Sequence, residues 1–225
     1  MKIIGWEMGR LLVLFPPVEI IPHRGIYLPA AIESIRNEFL FTEYPDLSRS
    51  IDQLDNEGYK FKQGVLNSSG ENIAISEFAI FGDGISITCR DTEQAESVWA
   101  KFFSWGKSAI GLREFSRAPS KYFRSQIVVE FEKNIENLFV NFSTISGIVG
   151  ESMKYTPHKN ENIGFIRFAI GADNTKIAGL NPVPFTIERR VGSPFEHNRF
   201  FCEAPLPTDK HVKALEAIET RLSSA

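Results

Sequence analysis

Apolar residues recur along this chain in two periods, and the switch between them predicts the elements. Arg10 to Phe15 reads as a short apolar strand, which Pro16-Pro17 stops and Val18 to Ile21 resumes. His23-Arg24-Gly25 reads as a turn, and Pro29 suits the first turn of a helix whose apolar stripe is Ile32, Ile35 and Phe39. Tyr44-Pro45-Asp46 ends that pattern, and the polar residues 46–58 read as a surface loop or short helix. Period-two alternation then sets Tyr59, Phe61, Gln63 and Val65 against Lys60, Lys62, Gly64 and Leu66. A turn at Asn67-Ser68-Ser69-Gly70 leads into a strand over 72–81. Gly82-Asp83-Gly84 turns into a third strand with Ile85, Ile87 and Cys89 on one face. Asp91, with Gln94 three residues on, forms a helix-capping pair. The helix runs from Thr92 to Trp105, buries Ala95, Val98, Trp99 and Phe102, and closes at Gly106.

The second half repeats this order. Phe123 to Phe131 alternates as a strand. Ile135, Leu138, Phe139, Phe142 and Ile145 form the cleanest amphipathic stripe, predicting a helix over 133–146 that ends at Gly147 and Gly150. Phe139 and Phe142 are expected to be buried against the sheet, so that truncating either to Ala costs about 3–5 kcal/mol. Strands are expected at 151–155, 164–170, 183–191 and 199–203. After Pro205 and Pro207, Thr208 caps a last helix with Val212, Leu215, Ile218 and Leu222 inward.

Both halves thus read strand, helix, three or more strands, helix. The predicted fold is α+β, built of two similar β-α-β(3-4)-α halves over residues 1–112 and 113–225 that form a curved antiparallel sheet packed on helices. The repetition is one of element order, without residue-by-residue identity. That element order is similar to the one found in TATA-box-binding-protein-like and helix-grip domains. The resemblance implies a topology and no function.

Composition narrows the class. The 225 residues are 43% hydrophobic and 24% charged, as in ordinary folded domains. Phenylalanine is abundant, with 19 Phe against 3 Trp and 5 Tyr, which predicts a phenyl-packed core. The net charge of −3 makes nucleic acid an unlikely partner. Charge is uneven: residues 1–112 carry 10 Lys and Arg against 15 Asp and Glu, and residues 113–225 carry 15 against 13. The junction is basic at Lys107, Arg113, Arg117, Lys121 and Arg124. The apolar run Leu11 to Phe15 is far too short to cross a membrane, and no secretory leader is read at the start, so the expected setting is cytoplasmic, with no membrane partner. Cys89 and Cys202 read as buried thiols, and the sequons at Asn67 and Asn141 carry no meaning there.

No motif carries a reaction. Gly82-Asp83-Gly84 joins strands and lacks the further glycine and lysine of a phosphate loop. His197, Cys202 and His211 match no zinc spacing, so neither a metal nor a cofactor is expected. There is no Gly-x-Ser-x-Gly, so a serine nucleophile on a strained elbow is not indicated. The richest polar stretch is Glu188-Arg189-Arg190 through Arg199. Guanidinium forks suit carboxylate or phosphate recognition, so Arg189, Arg190, His197 and Arg199 are the candidate ligand-binding residues. In a strand, Arg189 and Arg190 point to opposite faces. The expectation is a non-enzymatic binding or assembly module whose partner is another protein, with a homo-oligomer possible. The alternative is a protein, or an enzyme, that holds a small anionic ligand near Arg189, Arg190 and His197. An exposed flat or saddle-shaped apolar face would favour the first, and a closed pocket the second.

Overall fold

A computed structural model describes residues 1–46, 57–68, 70–139, 141–153, 163–173, 175 and 180–222. The fold is α+β, an eight-stranded antiparallel sheet with four helices among the described residues. The expected polar loop over 46–58 lies almost wholly outside them, as does part of the expected strand 151–155. No helix among the described residues is long and apolar enough to cross a membrane.

By packing, the chain divides into two units, one of Glu7–Ser125 with Pro205–Thr208, the other of Met1–Trp6, Gln126–Ala204 and Asp209–Ala225. The 7–125 unit holds most of β1 (Lys2–Leu14), then α1 (Leu28–Glu38), β2 (Tyr59–Ser68), β3 (Glu71–Phe81), β4 (Gly84–Cys89) and α2 (Thr92–Ala109). Its strands run in the order β2-β3-β4-β1. The registers are antiparallel, with Phe61 opposite Phe78, Phe78 opposite Ile87, and Leu11 opposite Ile87.

The core of this unit is aromatic. Phe39, Phe61 and Phe78 are fully buried, and Phe102 stands 4.9 Å from Phe78 between ring centres. Each large ring removes much apolar area from water without a polar atom to satisfy. The α1 stripe falls as the spacing predicts, with Ile32, Ile35 and Phe39 all buried. The Asp91 side chain accepts from the Gln94 backbone N–H at 2.8 Å and caps α2.

Several expectations are corrected. β1 begins at Lys2, well before Arg10. Val18 to Ile21 is not a strand: a 3-10 turn occupies Pro17–Glu19, because Pro16 and Pro17 hold φ near helical values and remove ladder donors. The β2 alternation does not persist through Val65. Gln63 sits at φ 54°, which flips the phase, so Gly64 and Leu66 turn inward in place of Val65. Helix α2 does not close at Gly106. It runs to Ala109, and Gly111 at φ 74° follows it. A β-carbon at Gly106 would lie 2.5 Å from Leu112 Cδ1, so that side chain would have to shift to admit it.

The second unit holds the later part of β5 (Ser120–Glu130), from Gln126 on, then α3 (Phe142–Met153), β6 (Arg167–Ile170), β7 (Phe185–Arg189), β8 (Arg199–Ala204) and nearly all of α4 (Thr208–Leu222). Its strands run β5-β8-β7-β6. Ile127, Val129, Phe131, Ile135, Phe165, Ile187, Phe200 and Leu215 form its core. The continuous helix expected over 133–146 is broken. A 3-10 turn spans Ile135–Leu138, Phe139 is extended, and Asn141 is left-handed at φ 65°. α3 then starts at Phe142 and passes through Gly147 and Gly150 to Met153, where a strand was expected. The reason is tertiary. The Glu136 carboxylate accepts the Phe165 N–H at 2.8 Å, and Phe139 stacks on Phe165 at 5.2 Å, which fixes the first turn away from the helix axis. Phe139 and Phe142 are therefore half-buried, and Ile145 is exposed.

Candidate functional site

The four arginine-region residues separate in space. Arg189, in β7, is buried at 6% exposure. Its Nε donates to the Phe165 carbonyl at 2.9 Å and its Nη1 to the Phe195 carbonyl at 3.1 Å. Its guanidinium lies 4.3 Å from the Phe195 ring centre and 4.8 Å from that of Phe200. Burial lowers its pKa, while Glu136 and Glu196 oppose the shift. Arg190 points the other way and is exposed, its N–H bonded to the Arg199 carbonyl at 3.0 Å. His197 is exposed in a 3-10 turn over Phe195–His197. Arg199 Nε meets Glu130 Oε2 at 2.7 Å, a contact that holds the Glu130 carboxyl below its ordinary pKa. The stretch thus brings Arg190 and Arg199 together through the backbone and places the Arg189 fork among rings and carbonyls.

The larger feature lies in the 7–125 unit and was not anticipated. A cavity of about 560 Å³ opens between α1, the β2–β4 strands and the connection from β1 to α1. That connection contributes Pro17, Ile20, Ile21 and Ile26; α1 contributes Leu28, Ala31, Ile32 and Ile35. Ile80, Phe81 and Ile85 form the sheet side, and Phe102, Ile110 and Leu112 close the end. Among the described residues, no charged side chain is in the lining, and Tyr59 brings the one hydroxyl.

The sequence builds this wall for local reasons. Four prolines (Pro16, Pro17, Pro22 and Pro29) keep the 15–29 segment from joining the sheet, yet it carries Ile20, Ile21, Ile26 and Leu28. A strap of this kind has to bury its aliphatic side chains without a ladder. It is tied down instead by Arg113, whose backbone N–H donates to the Ile20 carbonyl at 2.8 Å and whose Nε donates to the Ile21 carbonyl at 2.7 Å. Arg113 Nη2 also donates to the Val18 carbonyl, and Glu19 accepts from the Ser116 N–H at 2.8 Å. Hydrogen bonds from Ser116 hold the Glu19 carboxyl below its ordinary pKa. In the sequence, Arg113 stands out only as part of a basic junction. The signal for the cavity was the surplus of aliphatic residues in a proline-interrupted segment.

The thiols are chemically quiet. Burial first, and Asp91 second, push Cys89 up to about 12, and burial raises Cys202 as well. Among the described residues no group of three His, Cys, Asp or Glu side chains is placed to hold a metal ion. No family model matches the chain, and no curated protein matches it.

Proposed function

We propose that this chain is a non-catalytic binding protein whose site is the apolar cavity of the 7–125 unit. The observation that carries the reading is the cavity itself. A volume of about 560 Å³ falls within the range of about 300–1,000 Å³ typical of small-molecule sites, and its walls are aliphatic and aromatic. Well-packed cores leave few voids larger than a water molecule. Catalysis is not supported by the described residues of this lining, which offer no acid, base or nucleophile beside a hydroxyl. The alternative, an anionic ligand at Arg189, Arg190, His197 and Arg199, has weaker support, because the Arg189 donors are taken by carbonyls and Arg199 is paired with Glu130. The test is native mass spectrometry of gently purified protein. A bound small molecule that organic extraction removes supports the proposal. A bare chain mass, with no thermal stabilisation by apolar dyes, refutes it.

A second reading, assembly with another protein or a second copy, draws support from α3. This helix buries no residue and exposes Ile145, Ile148 and Val149. Sedimentation of an Ile148→Asp variant against the parent chain tests it.

We also propose that the two halves, 1–112 and 113–225, descend from one β-α-β-β-β-α unit of the helix-grip kind. Two observations support this. The strand orders β2-β3-β4-β1 and β6-β7-β8-β5 follow the same scheme. The last helix of each half begins with a threonine, and Thr92 and Thr208 exchange hydrogen bonds, N–H to Oγ1 at 3.0 Å one way and 2.6 Å the other. A relative carrying a single copy would test the proposal.

A further inference from the structure

We infer that the cavity takes an uncharged, predominantly hydrocarbon small molecule, a chain or carbocycle with at most one neutral polar group. The inference rests on the binding role proposed above and names the ligand class. Three observations on the walls carry it.

The first is charge. Among the described residues, no lysine, arginine, histidine or carboxylate contributes to the lining. Arg113, the cation nearest in sequence to the closing residues Ile110 and Leu112, is spent on the carbonyls of Val18 and Ile21 and lies 3.3 Å from His23 Nε2. An ionised ligand drawn into these walls would lose its hydration with no counter-charge to replace it.

The second observation disfavours an extended peptide. An extended peptide needs partners for its own N–H and C=O groups. Of the lining strands, β3 and β4 have none to give, since β3 is paired to β2 and β4 on its two sides, and β4 to β3 and β1. Beyond its first turn, the α1 N–H groups are satisfied within the helix.

The third observation is that these walls make poor partners for ordered water. A buried water makes about three hydrogen bonds, and among the described residues this lining offers a single side-chain hydroxyl. A hydrocarbon gains about 0.8 kcal/mol for each methylene buried, which needs no polar partner.

The intact protein is titrated with Nile red, a neutral dye whose emission rises and shifts to the blue in apolar surroundings. Decanol and decanoate, matched in chain length, then compete for the site at neutral pH. The expected result is that decanol displaces the dye at a concentration about tenfold lower, or lower still, than decanoate does. Leu28→Arg places a cation at a half-buried wall position and is expected to narrow or reverse that preference. Ala31→Trp fills the cavity and is expected to abolish dye uptake. Leu28→Trp serves the same purpose should Ala31→Trp misfold by circular dichroism. Equal or stronger competition by decanoate overturns the ligand class while the binding role stands. Absence of dye uptake by the parent chain, or uptake unchanged in both tryptophan variants, overturns the binding role itself.

Discussion

Arg189→Met decides whether the most buried of the four candidate residues is kept for the fold or for a ligand. The guanidinium donates to two carbonyls, Phe165 at 2.9 Å and Phe195 at 3.1 Å, and faces two rings. Methionine fills much of the same space but donates nothing. Each lost hydrogen bond to a charged group is worth about 1.5–3 kcal/mol, and the carbonyls left behind lose their partners inside the core of the second unit. The two cation–π contacts add about 0.5–2 kcal/mol each. Against this, the charged group no longer has to be desolvated, which returns part of the loss. Because these terms are not additive, the expected net destabilisation is about 3 kcal/mol. Arg189→Lys keeps the charge and loses the planar fork, so it is expected to recover only a minor part of the loss. Arg190→Ala, on the exposed side of the same strand end, is expected to change stability by less than about 0.5 kcal/mol. Urea denaturation followed by circular dichroism measures all three. A residue held for an external anion tends to be neutral or stabilising when removed. An Arg189→Met loss below about 1 kcal/mol, or a gain, would therefore refute the structural reading and return Arg189 to the candidate ligand set.

The remaining predictions concern close packing, titration and helix ends. Gly9→Ala is expected to cost upward of about 3 kcal/mol by denaturation, because its β-carbon would lie 2.0 Å from the Asp91 carbonyl carbon and 2.3 Å from the Thr92 nitrogen, both backbone; a loss below about 1 kcal/mol contradicts that approach. Burial lowers His211 to about 4, so between about 6.5 and 4 the unfolded chain binds the extra proton and stability falls with pH by about 3 kcal/mol in all. The His211→Gln variant is expected to flatten that part of the stability–pH curve, and an unchanged slope counts against a neutral buried imidazole. Thr92→Val and Thr208→Val are expected to be coupled by about 0.5–3 kcal/mol in a double-mutant cycle, through the reciprocal hydrogen bonds of the two helix starts; additivity within error denies the coupling.

What was legible in the sequence was local. The Asp91 cap, the Ile32–Ile35–Phe39 stripe, the Gly82-Asp83-Gly84 turn and the last helix each depend on residues within a few positions of one another, and each stands where its pattern put it. What was not legible depends on distant partners. The stripe from Ile135 to Ile145 has sound helical spacing, yet Glu136 is drawn to the Phe165 N–H, 29 residues away, and the helix divides. Gly106 looks like a stop signal, but the space it leaves is filled by Leu112. The phase change at Gln63 accompanies a bridge from Glu43 to Lys62 beside β2 and a bond from the Val65 N–H to the Phe39 carbonyl, neither of which the alternation contains.

The candidate site followed the same division. Arginine-rich chemistry is conspicuous in sequence, and the structure puts the most prominent of those side chains to work inside the protein. An apolar cavity has no motif, because it is made of the same residue types as a core. Only the mismatch between a proline-interrupted backbone at 15–29 and its aliphatic side chains marks the place, and that mismatch acquires meaning once Arg113 is seen holding the strap.

The most direct test of a ligand-bearing cavity is methyl NMR of the isoleucines during titration with decanol. Ile20, Ile32, Ile35, Ile80, Ile85 and Ile110 line the cavity, while Ile127, Ile135 and Ile187 belong to the core of the other unit and serve as internal controls. Saturable shifts confined to the first group are the predicted result. Shifts centred on Ile187 beside Arg189, or no saturable shift at any of the six, would contradict it.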